Sequence, residues 1–392
     1  MAIGQCTVEN MGINRTDERS QALAGRRIFL TGHTGFKGSW LVAWLSRLGC
    51  ETTGYSLQPV EPGLFVQAHL QDCVVRHHVG DIRNLDELTR AIHKAEPELV
   101  IHMAAQSLVR KAHSRPVETW SANVMGTVNL LEATRTCPSV RAILVITTDK
   151  CYENREWHWG YREIDPLGGD EPYSASKASA EFVVRSYRKT FFSSTGPLVA
   201  TARAGNVIGG GDWSEDRLLP DAARAVESGQ TLIVRNPNAT RPWQHVLDCL
   251  DGYLVLAAKL VGGDRHFASS FNFGPAADDN LSVARLLERL QNYWPRLNWE
   301  VDGMGHGAEI VREAAYLYLD SSMASQRLAW RPRWNLDTAL KTAAEWYGTV
   351  IDDESKAGAI TWRQLDEYLK SGDSAVPLTP ARSQGDAIGH AS

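Results

Sequence analysis

A glycine-rich turn between an apolar strand and an amphipathic helix is the strongest constraint on the fold. Residues 28–31 form a short apolar run, and Gly32, Gly35 and Gly38 follow it before a helical pattern at residues 39–48. Gly32 can make the tight turn, Gly35 lets the backbone approach a pyrophosphate, and Gly38 allows close packing of the helix. The helix N-terminus then offers unpaired N–H groups and a favourable dipole to phosphate. The order predicts a dinucleotide-binding βαβ unit, although the glycine spacing by itself also fits a structural loop.

Strand and helix patterns alternate through the first half of the chain, as a doubly wound parallel (Rossmann) α/β sheet requires. Six strands are predicted, at residues 28–30, 51–55, 74–79, 99–102, 142–146 and 198–202. Loops become frequent after residue 205, which indicates a smaller, C-terminal α/β domain for substrate binding. The expected division is an N-terminal extension at 1–24, a dinucleotide-binding domain at 25–205 to which a helix and strand within 243–274 return, a smaller domain at 206–242 and 275–350, and a C-terminal helix with a disordered tail at 351–392.

A tyrosine and a lysine four residues apart begin an Ala-rich helical stretch. Tyr173 and Lys177 lie on one face of that helix, so the ammonium field can lower the pKa of the phenol and favour phenolate chemistry near neutral pH. The Thr-Thr-Asp-Lys segment at residues 147–150 follows a predicted strand upstream. Alone, a Tyr-x-x-x-Lys spacing is more often a solvated surface pair, but this context indicates a proton-transfer site.

The charge balance argues against nucleic acid or a membrane surface as a partner. Lysine and arginine total 41 and aspartate and glutamate total 46, which gives a net charge of −5 in 392 residues. Such a chain has no broad positive field, so local arginines have to meet bound phosphates. No apolar run is long enough to span a bilayer, and residues 1–21 lack the apolar core of a signal peptide. The six cysteines show no metal-ligand or disulfide spacing, so a cytoplasmic protein with reduced thiols and no metal is expected.

Further motifs follow in a fixed order and carry a family resemblance. They are Gly80-Asp81-Ile82-Arg83, His102-Met103-Ala104-Ala105, Asn123, Thr148-Asp149 and Tyr173-x-x-x-Lys177. Together with the glycine turn, they resemble the extended short-chain dehydrogenase/reductase family over residues 25–347. Three local segments, at residues 32–40, 148–150 and 241–246, are similar to the members of that family that dehydrate CDP-glucose for deoxysugar biosynthesis, such as that of lipopolysaccharide O-antigen.

The resemblance implies bound NAD as the cofactor and CDP-glucose as the substrate. Asp81 would bond to the adenine amino group, although an aspartate at this position also fits a turn cap. The second strand ends at Ser56 instead of the acidic residue that usually binds the ribose 2′-hydroxyl, so the sequence alone leaves NADP open. The residues expected to bind the cofactor are Gly32, Gly35, Phe36, Lys37, Gly38, Ser56, Asp81, Ile82, Ala104, Ala105, Asn123, Thr147, Tyr173 and Lys177.

The resemblance also implies a hydro-lyase reaction, the 4,6-dehydration of a nucleotide sugar. Tyr173 would take the C4 hydroxyl proton, assisted by Lys177 and Thr148. Asp149 would protonate the departing C6 hydroxyl if its environment raises its pKa. Lys150 stands where related enzymes have a glutamate base, so it would either remove the C5 proton as a neutral amine or stabilise the enolate as a cation. A strand-end lysine pointing into solvent is the alternative.

Candidate substrate-binding residues include arginines, which bind phosphate oxygens through paired hydrogen bonds. The full set is Ser107, Asn206, Arg217, Arg235 and Arg241. Asn206 also fits a turn asparagine. Two other functions stay open: a nucleotide-sugar 4-epimerase of the same family, which needs no acid for water loss, and a noncatalytic dinucleotide-sensing protein.

A homodimer is predicted from an apolar stripe on the helix that follows Tyr173. The stripe recurs at helical spacing and consists of Ala180, Val184, Tyr187 and Phe191. With the helix at residues 124–135, it could form a four-helix bundle across a two-fold axis, as in family members. Ordinary packing of the stripe against the sheet is the alternative.

Overall fold

The computed structural model describes residues 18–193, 195–276, 279–302 and 316–371. Most of the predicted N-terminal extension, and the predicted disordered tail beyond residue 371, therefore lie outside the described residues. Among the helices of the described ranges, none is both long and apolar enough to cross a lipid bilayer.

The strands of the described residues form one large sheet and two small ones. Their bounds are β1 Arg27–Thr31, β2 Glu51–Ser56, β3 Arg76–Val79, β4 Leu99–His102, β5 Ala142–Ile146, β6 Leu198–Ala204, β7 Asn206–Ile208, β8 Leu232–Val234, β9 Thr240–His245, β10 Ser270–Phe273, β11 Asn280–Ser282 and β12 Trp299–Val301.

The helices cover both faces of the large sheet and surround the small ones. Their bounds are α1 Glu18–Leu23, α2 Phe36–Arg47, α3 Leu64–Gln67, α4 Leu85–Ala95, α5 Val109–Ser114, α6 Pro116–Trp120, α7 Gly126–Arg135, α8 Pro172–Thr190, α9 Leu218–Ser228, α10 Val246–Val261, α11 Val283–Tyr293, α12 Ser322–Leu328, α13 Leu336–Asp352 and α14 Ala357–Ser371. A π-helical turn, Ser121–Met125, joins α6 to α7.

All strands of the large sheet run parallel, in the order β10-β6-β5-β4-β1-β2-β3. The chain moves outward from β1 to β2 and β3, and then returns to the other side of β1 to form β4. The carboxyl ends of β1 and β4 therefore make the switch point of strand order, where open α/β sheets bind ligands. β5 is buried along its whole length, as expected for a strand covered by helices on both faces. The predicted doubly wound sheet is confirmed.

The strand predicted to return to the large sheet does so. β10 pairs with β6 at the sheet edge, and the helix before it, α10, is almost wholly buried. The remaining strands form a three-stranded sheet, β11-β9-β7, and a two-stranded sheet, β12-β8. These small sheets lie between residues 206 and 301, where the smaller domain is expected. The exact division into domains stays a prediction.

Helix α10 also contacts the first and the last of the described helices, α1 and α14. Its Asp251 pairs with Arg19 of α1 and, at 3.1 Å, with Arg333. Its Asp248 accepts a hydrogen bond of 2.8 Å from the Tyr368 hydroxyl of α14. Burial raises the pKa of Asp248 to about 6, which reflects how completely this contact excludes water. The terminal helices are thus attached to the same element that supports the large sheet.

A buried ion pair joins helix α8 to the large sheet. Glu181 of α8 and Arg203 of β6 approach to 2.8 Å, with side chains 2% and 3% exposed. The hydroxyl groups of Thr147 and Thr201 also donate to Glu181, at 2.5 and 2.8 Å. Burial acts to raise the pKa of Glu181, but Arg203 and the two hydroxyls outweigh it and keep the pKa below its usual range. The carboxylate is therefore held ionised inside the protein.

Arg203 extends this network to the segment that follows β5. Its guanidinium donates to the Tyr152 hydroxyl at 2.7 Å and lies 5.0 Å from the centre of that ring. Tyr152 donates in turn to the side chain of Asn272, on β10, at 2.7 Å. The loop after β5 and helix α8 are thus bound to the same two strands. Both carry candidate catalytic residues, so the network fixes the positions of those residues relative to each other.

We expect Glu181→Ala to lower the free energy of unfolding by about 3 to 5 kcal/mol, because it leaves the Arg203 charge buried without its partner. The matched control is Glu345→Ala, which removes an exposed ion pair with Arg363 and should cost about 0 to 1 kcal/mol. Urea denaturation of both variants and the unsubstituted chain measures the difference. Equal losses in the two variants would contradict the structural role of the network.

Candidate active site

The glycine turn after β1 is shaped by close backbone contacts. Gly32 has φ +75°, and a Cβ atom there would lie 2.7 Å from the backbone nitrogen of Ala104, at the end of the neighbouring strand β4. A Cβ atom on Gly38 would overlap the carbonyl oxygen of Gly32. Gly35 is exposed and extended, and it begins α2 without crowding. Any side chain at the two crowded positions would push the turn away from the helix N-terminus, where the phosphates of a dinucleotide bind. The turn therefore fits NAD.

The residues predicted to bind the adenosine half of the cofactor lie at the ends of β2 and β3. The Ser56 hydroxyl is 2.8 Å from that of Thr34, in the glycine turn. Asp81 accepts hydrogen bonds of 2.9 Å from the Arg83 backbone and from its guanidinium. The turn cap that the sequence left open for Asp81 is thus present, while its predicted contact with adenine stays a prediction. The neighbouring Ile82 is buried and packs beside Gly126, where a Cβ atom would overlap it.

A histidine pair under this half of the cleft was not anticipated from the sequence. His33, inside the glycine turn, is fully buried, and its Nε2 lies 2.7 Å from Nδ1 of His77 on β3. Burial lowers the pKa of His33 to about 3, so the ring is neutral at physiological pH. A Cβ atom on Gly54 would overlap that ring, which explains a glycine in the middle of β2. In the sequence, His33 next to the first glycine of the turn is the feature that could have indicated this histidine pair.

Around the end of β4, two predicted cofactor-binding residues are engaged with the protein itself. The side chain of Asn123 accepts a hydrogen bond from the Gln106 backbone at 2.8 Å and donates to the Ser176 hydroxyl at 2.9 Å. Asn123 therefore ties the loop after β4, which includes Ala104 and Ala105, to helix α8. The hydroxyl of Thr147 is similarly committed, since it donates to Glu181. Both side chains therefore make hydrogen bonds within the protein, and their predicted contacts with the cofactor stay predictions.

Helix α8 starts in a way that fixes its first turn. Pro172 occupies the first helical position, and the Glu171 carboxylate accepts hydrogen bonds of 2.7 Å from the backbone N–H groups of Tyr173 and Ser174. Lys177 donates to the carbonyl oxygen of Ile146, the last residue of β5, at 3.2 Å. The predicted tyrosine and lysine thus stand buried on the helix turn that faces the end of β5.

The pKa values of this pair differ from the expectation. Burial raises the pKa of Tyr173 to about 12, while a hydrogen bond with Thr148 and the charge of Arg217 act to lower it. Burial, aided by the charge of Lys37, lowers the pKa of Lys177 to about 8. Desolvation is the larger effect, so the pKa of Tyr173 is raised, and a lowering of that pKa by the Lys177 field stays a prediction. The groups that favour the phenolate are Thr148 and Arg217.

The Thr-Asp-Lys triplet forms a short 3₁₀ turn after β5. The Thr148 hydroxyl donates to one carboxyl oxygen of Asp149 at 3.0 Å and accepts from the Lys150 backbone at 3.3 Å. The other oxygen of Asp149, Oδ2, is buried and has no hydrogen-bond partner among the described residues. Burial raises the pKa of Asp149, although Lys150, Thr148 and Arg241 act against it. The shift has the direction that a general acid requires, and the acid role of Asp149 stays a prediction. Lys150 is half-buried.

The structure brings some of the predicted substrate-binding residues together. Arg217 donates to the Ser107 hydroxyl at 3.2 Å and to Asp212 at 2.9 Å, and its charge reaches Tyr173. Arg241 is buried and donates to the Thr240 carbonyl oxygen at 2.9 Å.

Two others stand apart from these contacts. Arg235 pairs with Asp216 at 3.4 Å. Asn206 opens β7 and pairs in register with Trp243 of β9, so it belongs to a strand and not to the turn that the sequence left open.

Comparisons with known proteins give a family match and a 44% identical relative. The model of the NAD dependent epimerase/dehydratase family matches residues 28–272. A CDP-glucose 4,6-dehydratase of Salmonella typhimurium (strain LT2) is 44% identical over 354 residues, which cover 88% of this chain and 97% of that protein.

Two solved structures share the fold at low sequence identity. The dTDP-glucose 4,6-dehydratase of Bacillus anthracis, in complex with NAD, is 21% identical with a TM-score of 0.68, and the match covers 82% of this chain and 96% of that one. The UDP-glucose 4-epimerase of Thermotoga maritima, with UDP-glucose, is 18% identical with a TM-score of 0.69, over 83% of this chain and 99% of that one. The glycine turn after β1 fits the cofactor named in the family description. The family match and the 44% identical relative show that the chain belongs to the NAD dependent epimerase/dehydratase family.

Proposed function

We propose that the chain is a nucleotide-sugar 4,6-dehydratase that converts CDP-D-glucose to CDP-4-keto-6-deoxy-D-glucose and water. The observation that carries the proposal is the Asp149 carboxyl, buried beside Thr148 with one oxygen unpaired and its pKa raised. Elimination of water needs a group that holds a proton near neutral pH and can give it to a leaving hydroxyl. A 4-epimerase has no use for such an acid, and a noncatalytic sensor has no use for Asp149 and Tyr173 together.

In the first half of the reaction, Tyr173 takes the proton of the C4 hydroxyl. The charge of Arg217 and the hydrogen bond with Thr148 favour the phenolate that this step requires. Thr148, which is hydrogen-bonded to Tyr173, would bond the C4 oxygen, and Lys177 would hold the nicotinamide ribose of the cofactor. NAD, when bound, supplies a hydride acceptor for C4 and a hydride donor for C6, so the reaction has no net redox change.

In the second half, the new 4-ketone makes the C5 proton acidic, and water leaves across C5 and C6. Asp149 donates its proton to the departing C6 hydroxyl. Lys150 lies beside it in the turn and acts on C5, either as a neutral amine that takes the C5 proton or as a cation that stabilises the enolate while solvent takes that proton. A proton returns to C5 when hydride is delivered to C6. The assignment of CDP is supported by the 44% identical relative, and arginines at the candidate substrate site supply the cations that a diphosphate requires.

Three variants should separate oxidation at C4 from elimination of water. Tyr173→Phe should abolish all chemistry on CDP-glucose, because no base takes the C4 proton. Asp149→Asn and Lys150→Ala should still oxidise C4 but lose elimination, so CDP-4-ketoglucose accumulates and overall turnover falls by roughly 10² to 10⁴. Acid-quenched reactions analysed by mass spectrometry distinguish the two keto sugars. The matched control is Lys189→Ala, because Lys189 is an exposed lysine of α8, the helix that carries Tyr173. This variant should convert CDP-glucose at the rate of the unsubstituted protein.

A comparison of substrates tests the proposed function as a whole. CDP-glucose, dTDP-glucose and GDP-mannose are compared, and the alkali-induced absorbance of a 4-keto sugar is followed. Equal rates on all of them would end the assignment of CDP, and formation of CDP-galactose would replace the dehydratase with an epimerase. Unchanged turnover by Lys150→Ala would remove the role given to that residue.

We also propose that the protein is a homodimer, through a surface that only partly overlaps the stripe predicted from the sequence. Ala180 and Val184 of that stripe are buried within the protomer and Tyr187 is partly buried, whereas Phe191 is 46% exposed. Large apolar side chains are instead exposed on α8 and on the adjoining helical segment 116–125, at Val117, Trp120, Met125 and Phe182. Exposed apolar side chains clustered on adjacent helices are typical of a protein–protein interface.

Sedimentation tests the dimer directly. The unsubstituted protein should sediment as a dimer at micromolar concentration, and Phe182→Asp combined with Val117→Asp should sediment as a monomer, because a dry interface does not tolerate unpaired carboxylates. Val60→Asp is the matched control, since Val60 is 75% exposed on the loop after β2 and should leave the dimer intact. A monomer for the unsubstituted protein would dismiss the proposal.

We further propose a cytoplasmic location. Four cysteines of the described residues, Cys50, Cys137, Cys151 and Cys249, are buried and stand outside any disulfide. Free thiols of this kind persist in a reducing compartment.

A further inference from the structure

Two arginines from distant parts of the chain meet at one carboxylate oxygen. Arg110 of α5 lies 3.1 Å from Oδ1 of Asp216, and Arg235, just after β8, lies 3.4 Å from the same oxygen. More than a hundred residues separate the two arginines in sequence. The loop that carries Asp216 joins β7 to α9, so three separate segments converge on this point.

The fold has little need of this contact. The three side chains are 39% to 52% exposed, and ion pairs of such exposure contribute little to stability. Asp216 also adopts φ +57°, a left-handed conformation that is uncommon outside glycine, although aspartate and asparagine adopt it more often than most residues. The two guanidinium groups share one carboxylate oxygen, so each keeps N–H donors that a second anionic group can use.

The cluster adjoins the candidate catalytic residues. Arg217, the next residue after Asp216, donates to the Ser107 hydroxyl, and its charge reaches Tyr173. Ser107 and Arg110 belong to the same short segment after β4. Along these contacts the order is Tyr173, then Arg217, then the Arg110–Asp216–Arg235 cluster. The cluster is therefore connected to Tyr173 through Arg217, whose charge acts on that phenol.

We propose that Arg110 is a further substrate-binding residue, and that the Asp216 carboxylate stands in for a phosphate of the substrate. A nucleoside diphosphate enters between Arg110 and Arg235 and displaces Asp216 from them. The inference rests on the proposed function in taking the ligand to be a nucleotide sugar. Guanidinium groups bind phosphate oxygens through paired hydrogen bonds, which a doubly charged diphosphate uses better than a single carboxylate oxygen does.

Substitutions of Arg110 and Asp216 should then change the affinity for CDP in opposite directions. Arg110→Ala removes a phosphate ligand and should weaken binding of CDP. Asp216→Asn removes the competing charge and should tighten it. Asparagine tolerates the left-handed conformation, so the backbone of the loop is retained. If Asp216 only held the loop together, Asp216→Asn would instead weaken binding, because both arginines would lose their anchor.

Calorimetric titration of the NAD-loaded protein with CDP tests this. Arg110→Ala should raise the dissociation constant about tenfold or more, and Asp216→Asn should lower it about threefold or more, in line with charged hydrogen bonds to phosphate. Arg115→Ala is the matched control, since Arg115 is an exposed arginine that follows the same helix and pairs with Glu118. It should bind CDP like the unsubstituted protein. An unchanged constant for Arg110→Ala, or a raised one for Asp216→Asn, overturns the proposal.

Titration with CMP localises the effect. Arg110→Ala should lose more affinity for CDP than for CMP, and equal losses for the two ligands would overturn the assignment to the diphosphate. Because these titrations require no turnover, they separate this inference from the proposed reaction. If another nucleoside diphosphate binds in place of CDP, the same variants should change its affinity in the same directions while the assignment of CDP-glucose fails.

Discussion

The Glu181–Arg203 ion pair is the contact on which the geometry of the site depends. It lies inside the protein, where an isolated charge would be costly, and it is stabilised there by the hydroxyls of Thr147, just after β5, and Thr201, in β6. Glu181 belongs to the helix of Tyr173 and Lys177. Arg203 donates to Tyr152, two residues after the Thr-Asp-Lys triplet. The candidate catalytic residues Tyr173 and Asp149 are therefore connected by one network.

Burial sets the protonation of the candidate catalytic groups. It raises the pKa values of Tyr173 and Asp149 and lowers that of Lys177, so all three are shifted toward their neutral forms. Positive charge from Arg217 acts on the tyrosine and positive charge from Lys150 and Arg241 acts on the aspartate. For both groups desolvation outweighs the nearby cations, so the pKa values of Tyr173 and Asp149 remain above those of the isolated side chains.

The fold class followed from local patterns in the sequence. The glycine positions of the first turn, the alternation of strands and helices, and the Tyr-x-x-x-Lys spacing each express a constraint within a few residues. Backbone conformation at Gly32, the close approach of Gly38 and the helical face shared by Tyr173 and Lys177 depend on neighbours in sequence, so the sequence determined them. The acid role of Asp149 was also expected, but it was conditional on a burial that no local pattern reveals.

The partners of individual side chains were decided only by the tertiary structure. The Thr147 hydroxyl donates to Glu181, and the Asn123 side chain forms hydrogen bonds with Gln106 and Ser176. Ala180 and Val184 are buried inside the protomer. The convergence of Arg110 and Arg235 on Asp216 joins segments far apart in the chain. Hydrogen bonds, ion pairs and desolvation depend on distances in space, and in a parallel sheet with crossover connections those distances are set by strand order. The sequence therefore determined which chemical groups the protein has and the fold that carries them, while the tertiary structure decided which groups meet.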